Sequence, residues 1–336
     1  VTGLSLPVVE QSVQPIRLDN AVFEGDNVVY LLDPPAGPTT LVDAGVPTDR
    51  VREGLRAGLA EAGLTVVDLD RILLTHWHWD HSGLAGELQA ESGATVHVHE
   101  RDAPLVDGSG RSAFLALRTE CFERWGIPEG PRAELTSFLD HHEDMAGEPA
   151  DVTPFTHGER FPLGEGSAPD GGEDALRAIH LPGHADGLSA FAFERRSEAF
   201  VGDVILPKYT PNVGGADPRV ERPLPTYRAS LRWLSATSLD RAWPGHRDPI
   251  DDPAGRSREI LSHHAERTDR TRAAVERIGP ATAWEVGAEL FGDVEDIHIM
   301  HGAGEAWAHL EALRDEDTVA RRRGEAGADR YSMRDA

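Results

Sequence analysis

Residues 76–81 read His-Trp-His-Trp-Asp-His, directly after Thr75 and the apolar run Ile72-Leu73-Leu74. Four side chains able to bind a cation therefore fall within six positions, at the end of a predicted strand over 71–75. His76 and His78 are two apart, and an extended chain points both to one side. Asp80 and His81 follow at once, so the segment can face two neighbouring ions. The helical pattern His-Glu-x-x-His has a different spacing and is absent. Imidazole and carboxylate together suit borderline first-row cations such as zinc.

Three later residues give this cluster company. His184 in Leu181-Pro182-Gly183-His184, Asp203 in Val201-Gly202-Asp203 and His246 in Trp243-Pro244-Gly245-His246 each follow a predicted strand. A turn just past a strand end can aim each of them at a shared rim. Strands are expected over 27–32, 40–42, 95–99, about 175–181, 189–194 and 198–202, with helices over 48–62 (Thr48 as N-cap) and about 82–92. This rhythm indicates a mixed α/β layered domain. A helical excursion is expected over about 101–146, where Phe114, Leu117, Cys121, Phe122 and Trp125 recur at helical spacing. After a loop over 207–224 come a helix over 226–236, a linker near Asp251-Asp252-Pro253, a polar helix over 256–278, helices over 282–291 and 302–314, and a hairpin around Gly324 and Gly327.

Taken in order, these motifs resemble the metallo-β-lactamase superfamily of hydrolases across about residues 15–250. Asp43-Ala44-Gly45 is similar to the family's Asp-Thr-Gly turn, and Thr75–Gly83 to its Thr-His-x-His-x-Asp-His-x-Gly signature. The resemblance implies that one ion takes His76, His78 and His184, the other takes Asp80, His81 and His246, and Asp203 bridges them. Two divalent ions, expected to be zinc, would generate a bridging hydroxide near neutral pH, and Asp80 would act catalytically by holding it. The implied fold class is α+β: a four-layer αββα sandwich over residues 1–252, followed over 253–336 by a connecting helix and a small, mostly helical winged-helix-like domain. The stretches 206–213 and 222–231, with Pro280–Val286 and Ala308–Leu313, resemble the β-lactamase-like protein 2 and glyoxalase II-like branch. That branch implies hydrolysis of a small thioester or ester, the excursion receiving the acyl chain. A single-strand endoribonuclease or phosphodiesterase is the alternative.

The formal charge is −25, and Lys208 is the sole lysine among 33 basic residues. Such a chain repels phosphate backbones unless salt screens it, so a small-molecule substrate is expected ahead of nucleic acid. A salt-rich, halophilic cytoplasm also explains dense Asp and Glu. Cys121 is the single cysteine, which excludes an internal disulfide and fits a cytoplasmic setting. Val1-Thr2-Gly3-Leu4 opens no signal-peptide pattern and no run is long enough to span a bilayer, so no membrane partner is expected. The tail is compatible with a homodimer. Its Arg321-Arg322-Arg323 is expected on a wing, beside an acidic helix surface including Glu311. His141-His142 and His263-His264 are expected at the solvated surface, and Lys208 in an exposed loop.

Overall fold

The structure, a computed structural model, describes residues 13–20, 26–324 and 327–334. Residues 1–12, 21–25, 325–326 and 335–336 lie outside them. Strands β1 (Gln14–Leu18), β2 (Asn27–Leu32), β3 (Thr40–Val42), β4 (Arg71–Leu73), β5 (Thr95–His99) and β6 (Val152–Phe155) form one sheet in that order. It is antiparallel from β1 to β3 and parallel from β3 to β6. The second sheet runs β11 (Arg241–Pro244), β10 (Glu198–Gly202), β9 (Ser189–Phe193), β8 (Asp174–His180), β7 (Arg160–Gly164).

Strand periodicity stacks these sheets. On β2, Val28, Tyr30 and Leu32 point to one side and Val29 and Leu31 to the other. The first set joins Val42, Leu73, Phe155, Phe161, Phe191 and Phe200 in a core between the sheets. The second joins the helices outside. There α1 (Asp49–Glu61) buries Val51, Leu55 and Leu59, spaced to lie on one helical stripe. Each such side chain contributes about 1.5–3 kcal/mol before ordering entropy is subtracted. Thr48 caps α1, its side chain accepting from Val51 N at 3.4 Å. Helices α2 (Trp79–Ser82) and α3 (Ala85–Ser92) follow β4, and α7 (Pro223–Ser235) covers the second sheet with Leu224, Tyr227 and Leu231. The result is the expected αββα sandwich.

The excursion consists of α4 (Ala103–Val106), α5 (Arg111–Arg124) and α6 (Glu129–His141). Beyond the sandwich come α8 (Pro253–Ile278), α9 (Ala283–Phe291), α10 (Ile297–Asp315) and the hairpin β12 (Val319–Arg323)–β13 (Asp329–Met333). Excursion and tail share one core: Phe122, Trp125, Leu135 and Leu139 pack with Val286, Ile299, Trp307, Leu310 and Tyr331. The Trp125 and Trp307 rings lie 5.7 Å apart. Among the described residues no helix is long and apolar enough to cross a membrane.

Several local expectations are corrected. Strands β6 and β7 lack a sequence forecast because each contains a proline, Pro154 and Pro162, tolerated because both are edge strands. The helix expected from Ser82 begins at Trp79, so Asp80 and His81 occupy a helical turn. His264 is fully buried rather than solvated. Glu311 is also buried: Tyr331 Oη donates to it at 2.6 Å, and Arg321 and Arg314 pair with it. It anchors the hairpin instead of acidifying a surface.

Candidate metal centre

The loop from Thr75 to His78 and the helical turn after it sit where β4 ends, at one edge of the sandwich. The strand ends after β8, β10 and β11 bring His184, Asp203 and His246 to the same edge. His76 Nε2 lies 2.9 Å from His78 Nδ1, and His184 Nε2 lies 3.0 Å from that same atom. Alongside, His246 Nε2 is 3.3 Å from Asp80 Oδ2, and His81 Nε2 is 3.8 Å from it. Asp203 stands between the two groups, 3.6 Å from His184 Nε2, 3.6 Å from His81 Nε2 and 3.5 Å from His246 Nε2. All seven sequence candidates are thus brought together.

Both Pro-Gly-His motifs owe their glycine to close approach. A Cβ on Gly245 would fall 2.4 Å from His81 Cε1, and one on Gly183, at φ +145°, would fall 2.4 Å from Tyr227 Cβ. A side chain at 245 would push His81 and Asp203 aside, and one at 183 would be strained at that φ and would displace Tyr227 of α7.

Partners outside the cluster set the imidazoles. His184 Nδ1 bonds the Asn212 carbonyl at 2.8 Å, and His81 Nδ1 bonds Asp43 Oδ2 at 2.8 Å. Each bond occupies one ring nitrogen and turns the other inward, the arrangement metal-binding histidines need. Asp43 is itself held by Thr75 N and Oγ1, at 2.7 Å and 3.0 Å. Asn27 Nδ2 donates to Asp80 at 3.3 Å. Among the described residues, His81 Nε2, Asp203 Oδ1 and both nitrogens of His246 are buried with no hydrogen-bond partner. Buried polar atoms are rarely left so, and these belong to donors of the kind divalent cations take. The residues therefore fit a metal centre on geometry and on donor chemistry.

Electrostatics divides the cluster. Burial, with His184 and His81 nearby, pulls His78 down to about 3. Burial likewise drives His76 well below its usual range. His246 goes the other way: burial opposes its charge, yet Asp203 and Asp80 outweigh it and push the imidazole up to about 10. Burial thus favours the neutral imidazole at His76 and His78, whereas the carboxylates of Asp203 and Asp80 favour the charged form of His246.

A second network, not forecast from sequence, holds the Trp77 backbone between the first two histidines. Asp102 Oδ2 accepts from Trp77 N at 3.2 Å, and Asp217 Oδ2 accepts from Trp77 Nε1 at 3.1 Å. Arg219 pairs with both carboxylates at 2.6 Å. Asp102 also accepts from Gly187 N at 3.0 Å, and Asp217 from Asp186 N at 2.8 Å, tying in the loop that carries His184. Burial, opposed by Arg219, pushes the Asp102 carboxyl up to about 7.

Above the cluster is a cavity lined by His78, Asp80, His184 and Asp203 at its base. Its walls are Trp77, Trp79, Arg118 and Leu139 on one side and Ile297, Met300 and His301 on the other. The excursion and α10 therefore both wall it. Lys208 is exposed. Cys121 is buried, its thiol pushed up to about 11 by burial, which makes it a poor nucleophile. His180 bonds the Asp186 carbonyl at 2.7 Å and stacks on His99, a structural rather than a chemical placement. Another ligand-capable group, His264, Glu305 and His309, lies at the joint between α8 and α10. Thr268 serves His309 at 2.8 Å and Arg267 pairs with Glu305 at 3.0 Å.

The profile of the Metallo-beta-lactamase superfamily matches residues 22–250, and that of the Metallo-beta-lactamase-like, C-terminal domain matches residues 269–334. The chain is 26% identical over 317 residues to the probable metallo-hydrolase YqjP of Bacillus subtilis (strain 168), covering 92% of this chain and 94% of that one. The metallo-beta-lactamase family protein TTHA1429 from Thermus thermophilus superposes with a TM-score of 0.73 at 31% identity, over 95% of this chain and 98% of its own. A beta-lactamase domain protein from Burkholderia ambifaria gives a TM-score of 0.75 at 22% identity, over 96% and 93% of the two chains, a likeness of fold alone.

Proposed function

The chain belongs to the metallo-beta-lactamase superfamily, and from that premise we propose that it is a dinuclear metal-dependent hydrolase acting on a small thioester or ester. The observation that supports this most is the set of buried, partnerless atoms on His81, Asp203 and His246 beside the converging nitrogens of His76, His78 and His184. His76, His78 and His184 would hold one ion and Asp80, His81 and His246 the other, with Asp203 shared between them. When bound, two divalent ions, zinc in this reading, supply Lewis acidity and water acidified to near neutrality.

The chain's own groups do the rest. Asp43 and the Asn212 carbonyl orient their imidazoles. Asp80, held by Asn27, places a carboxylate at the cavity floor, where it can accept a proton and position a nucleophilic water. Trp77, Trp79, Leu139 and Met300 exclude solvent around an apolar acyl group. The tail, with three helices and a hairpin, is read as a winged-helix-like unit whose role is to wall this cavity. Its arginines support that role over nucleic-acid binding, because Arg321 pairs with Glu311 and Arg323 with Asp329.

The test uses purified protein loaded with zinc and assayed in parallel on acyl-CoA, S-lactoylglutathione and single-stranded RNA, at low and molar salt. The expected result is two metals per chain and thioester turnover, with His78→Ala and Asp203→Ala losing metal and turnover together. RNA cleavage that His78→Ala abolishes, without thioester turnover, would reverse the reading in favour of a phosphodiesterase.

A further inference from the structure

Arg118 on α5 is the one arginine or lysine among the described residues lining the cavity above the metal centre. The other arginines of α5 and α6 are engaged with protein groups. Arg111 donates to the carbonyls of Leu105 and Ala146, Arg124 to Asp329, and Arg132 pairs with Glu123. Arg118 has neither a hydrogen bond nor an ion pair among the described residues. Its guanidinium rests over the Phe114 ring, 5.8 Å from the centroid, and Phe114 in turn meets Trp77 edge-on at 4.7 Å. Asp140 and Glu143 are the acidic groups whose fields reach it, and neither closes to an ion pair. Arg118 also lines the adjoining hollow formed with Trp79, Phe114, Leu115, Arg111 and Glu143, so it stands at the partition between two cavities.

A guanidinium offers five N–H donors in a planar fork that fits carboxylate or phosphate. Half-buried and unpartnered, it carries a desolvation cost that a bound anion would offset. The rest of the protein makes this placement more telling. At a net charge of −25 the overall field repels anions, so an anionic ligand reaching this site needs a local cation. Carboxylates are abundant along the chain, yet among the described residues none forms an ion pair with this guanidinium, Asp140 and Glu143 included.

We propose that Arg118 is the recognition site for an anionic group, a carboxylate or a phosphate, borne by the substrate away from its scissile bond. The proposal rests on the hydrolase reading above and narrows its substrate to an amphipathic anion: apolar contact at Trp77, Trp79 and Leu139, charge at Arg118.

Two matched pairs test it on the metal-loaded protein. Butyryl and succinyl thioesters of N-acetylcysteamine differ by a carboxylate, and acetyl thioesters of pantetheine and 4′-phosphopantetheine differ by a phosphate. The expected result is a preference of about 10- to 100-fold in kcat/KM for the anionic member of one pair, carried by KM, as charge-assisted hydrogen bonds provide. The pair that shows it identifies the anion. Arg118→Gln should bring the ratio near one and Arg118→Lys should restore part of it. Equal rates within both pairs, or a preference that survives Arg118→Gln, overturns the proposal. Amide analogues of the same compounds, titrated by tryptophan fluorescence, separate this outcome from failure of the hydrolase reading. If no thioester is cleaved, that reading fails, and tighter binding of an anionic amide lost in Arg118→Gln still supports the anion site. Equal binding of all amides overturns it.

Discussion

Asp43 Oδ2 lies 2.8 Å from His81 Nδ1, and the same carboxylate accepts from the backbone N–H of Thr75 at 2.7 Å. One side chain therefore fixes both the start of the histidine loop and the orientation of its last imidazole. Asp43 adopts φ +63°, a conformation uncommon outside glycine, asparagine and aspartate. Asp43→Asn keeps the shape and removes the charge. We expect metal affinity to fall about 10- to 100-fold, as for other groups that support a ligating histidine, with the melting profile little changed. Competition against a chromophoric chelator measures it.

Arg219 neutralises two buried carboxylates at once, Asp102 and Asp217. Arg219→Met should destabilise the fold by about 3–5 kcal/mol, because it strands charge that burial penalises. Trp77 and the His184 loop lose their anchors together, so metal loading should weaken in parallel. Urea unfolding and metal analysis of the same preparation check both effects. A variant with unaltered unfolding and metal content would show that the network is dispensable.

His99 is buried and stacked on His180 at 4.0 Å. Burial, with His180, Arg101 and His157 nearby, pulls it down to about 3. The folded state therefore keeps this imidazole neutral while the unfolded chain takes up a proton below about 6.5. Its contribution is fully present above that pH and is lost as pH falls towards 3. At pH 5 the loss should be about 2 kcal/mol. Urea midpoints at pH 8 and pH 5 should differ less in His99→Phe than in the parent protein.

Trp125 is almost wholly buried against Trp307, joining the excursion to the tail. Trp125→Ala should cost about 3–5 kcal/mol. It should also raise KM, since Leu139 and Met300, on opposite walls of the cavity, belong to the same core. Denaturant titration and steady-state kinetics together distinguish this from a loss of folding alone.

The candidate cation-binding residues were legible because that chemistry requires rare side chains at strand ends. His76, Asp80, His184, Asp203 and His246 stand out whatever surrounds them. The αββα layering was legible because β2 is an uninterrupted apolar run of strand length, buried throughout, while α1 carries a clean period of about 3.6. Supporting residues were not, because their roles depend on partners far along the chain. Asp102 and Arg219 are separated by 117 positions, and neither has a local pattern. The Asp217-Pro218-Arg219 sequence, inside the Pro- and Gly-containing loop 207–224, was the one signal available. His264 escaped for a related reason: on a polar helix, only the arrival of Tyr227 and His309 shows which face is covered. Strands β6 and β7 were hidden by prolines that a sheet edge tolerates and a sheet centre does not.

The shared core of excursion and tail has a consequence for recombining such enzymes. Because Phe122, Trp125, Leu135 and Leu139 fold against α9 and α10, the tail cannot be exchanged between relatives as a cassette cut near residue 253. The transferable module is discontinuous: the helical pair α5–α6 must travel with the C-terminal helices, while the sandwich and its cluster of histidines stay behind. A chimera that respects this split would inherit the pocket walls of one parent and the reactive floor of the other.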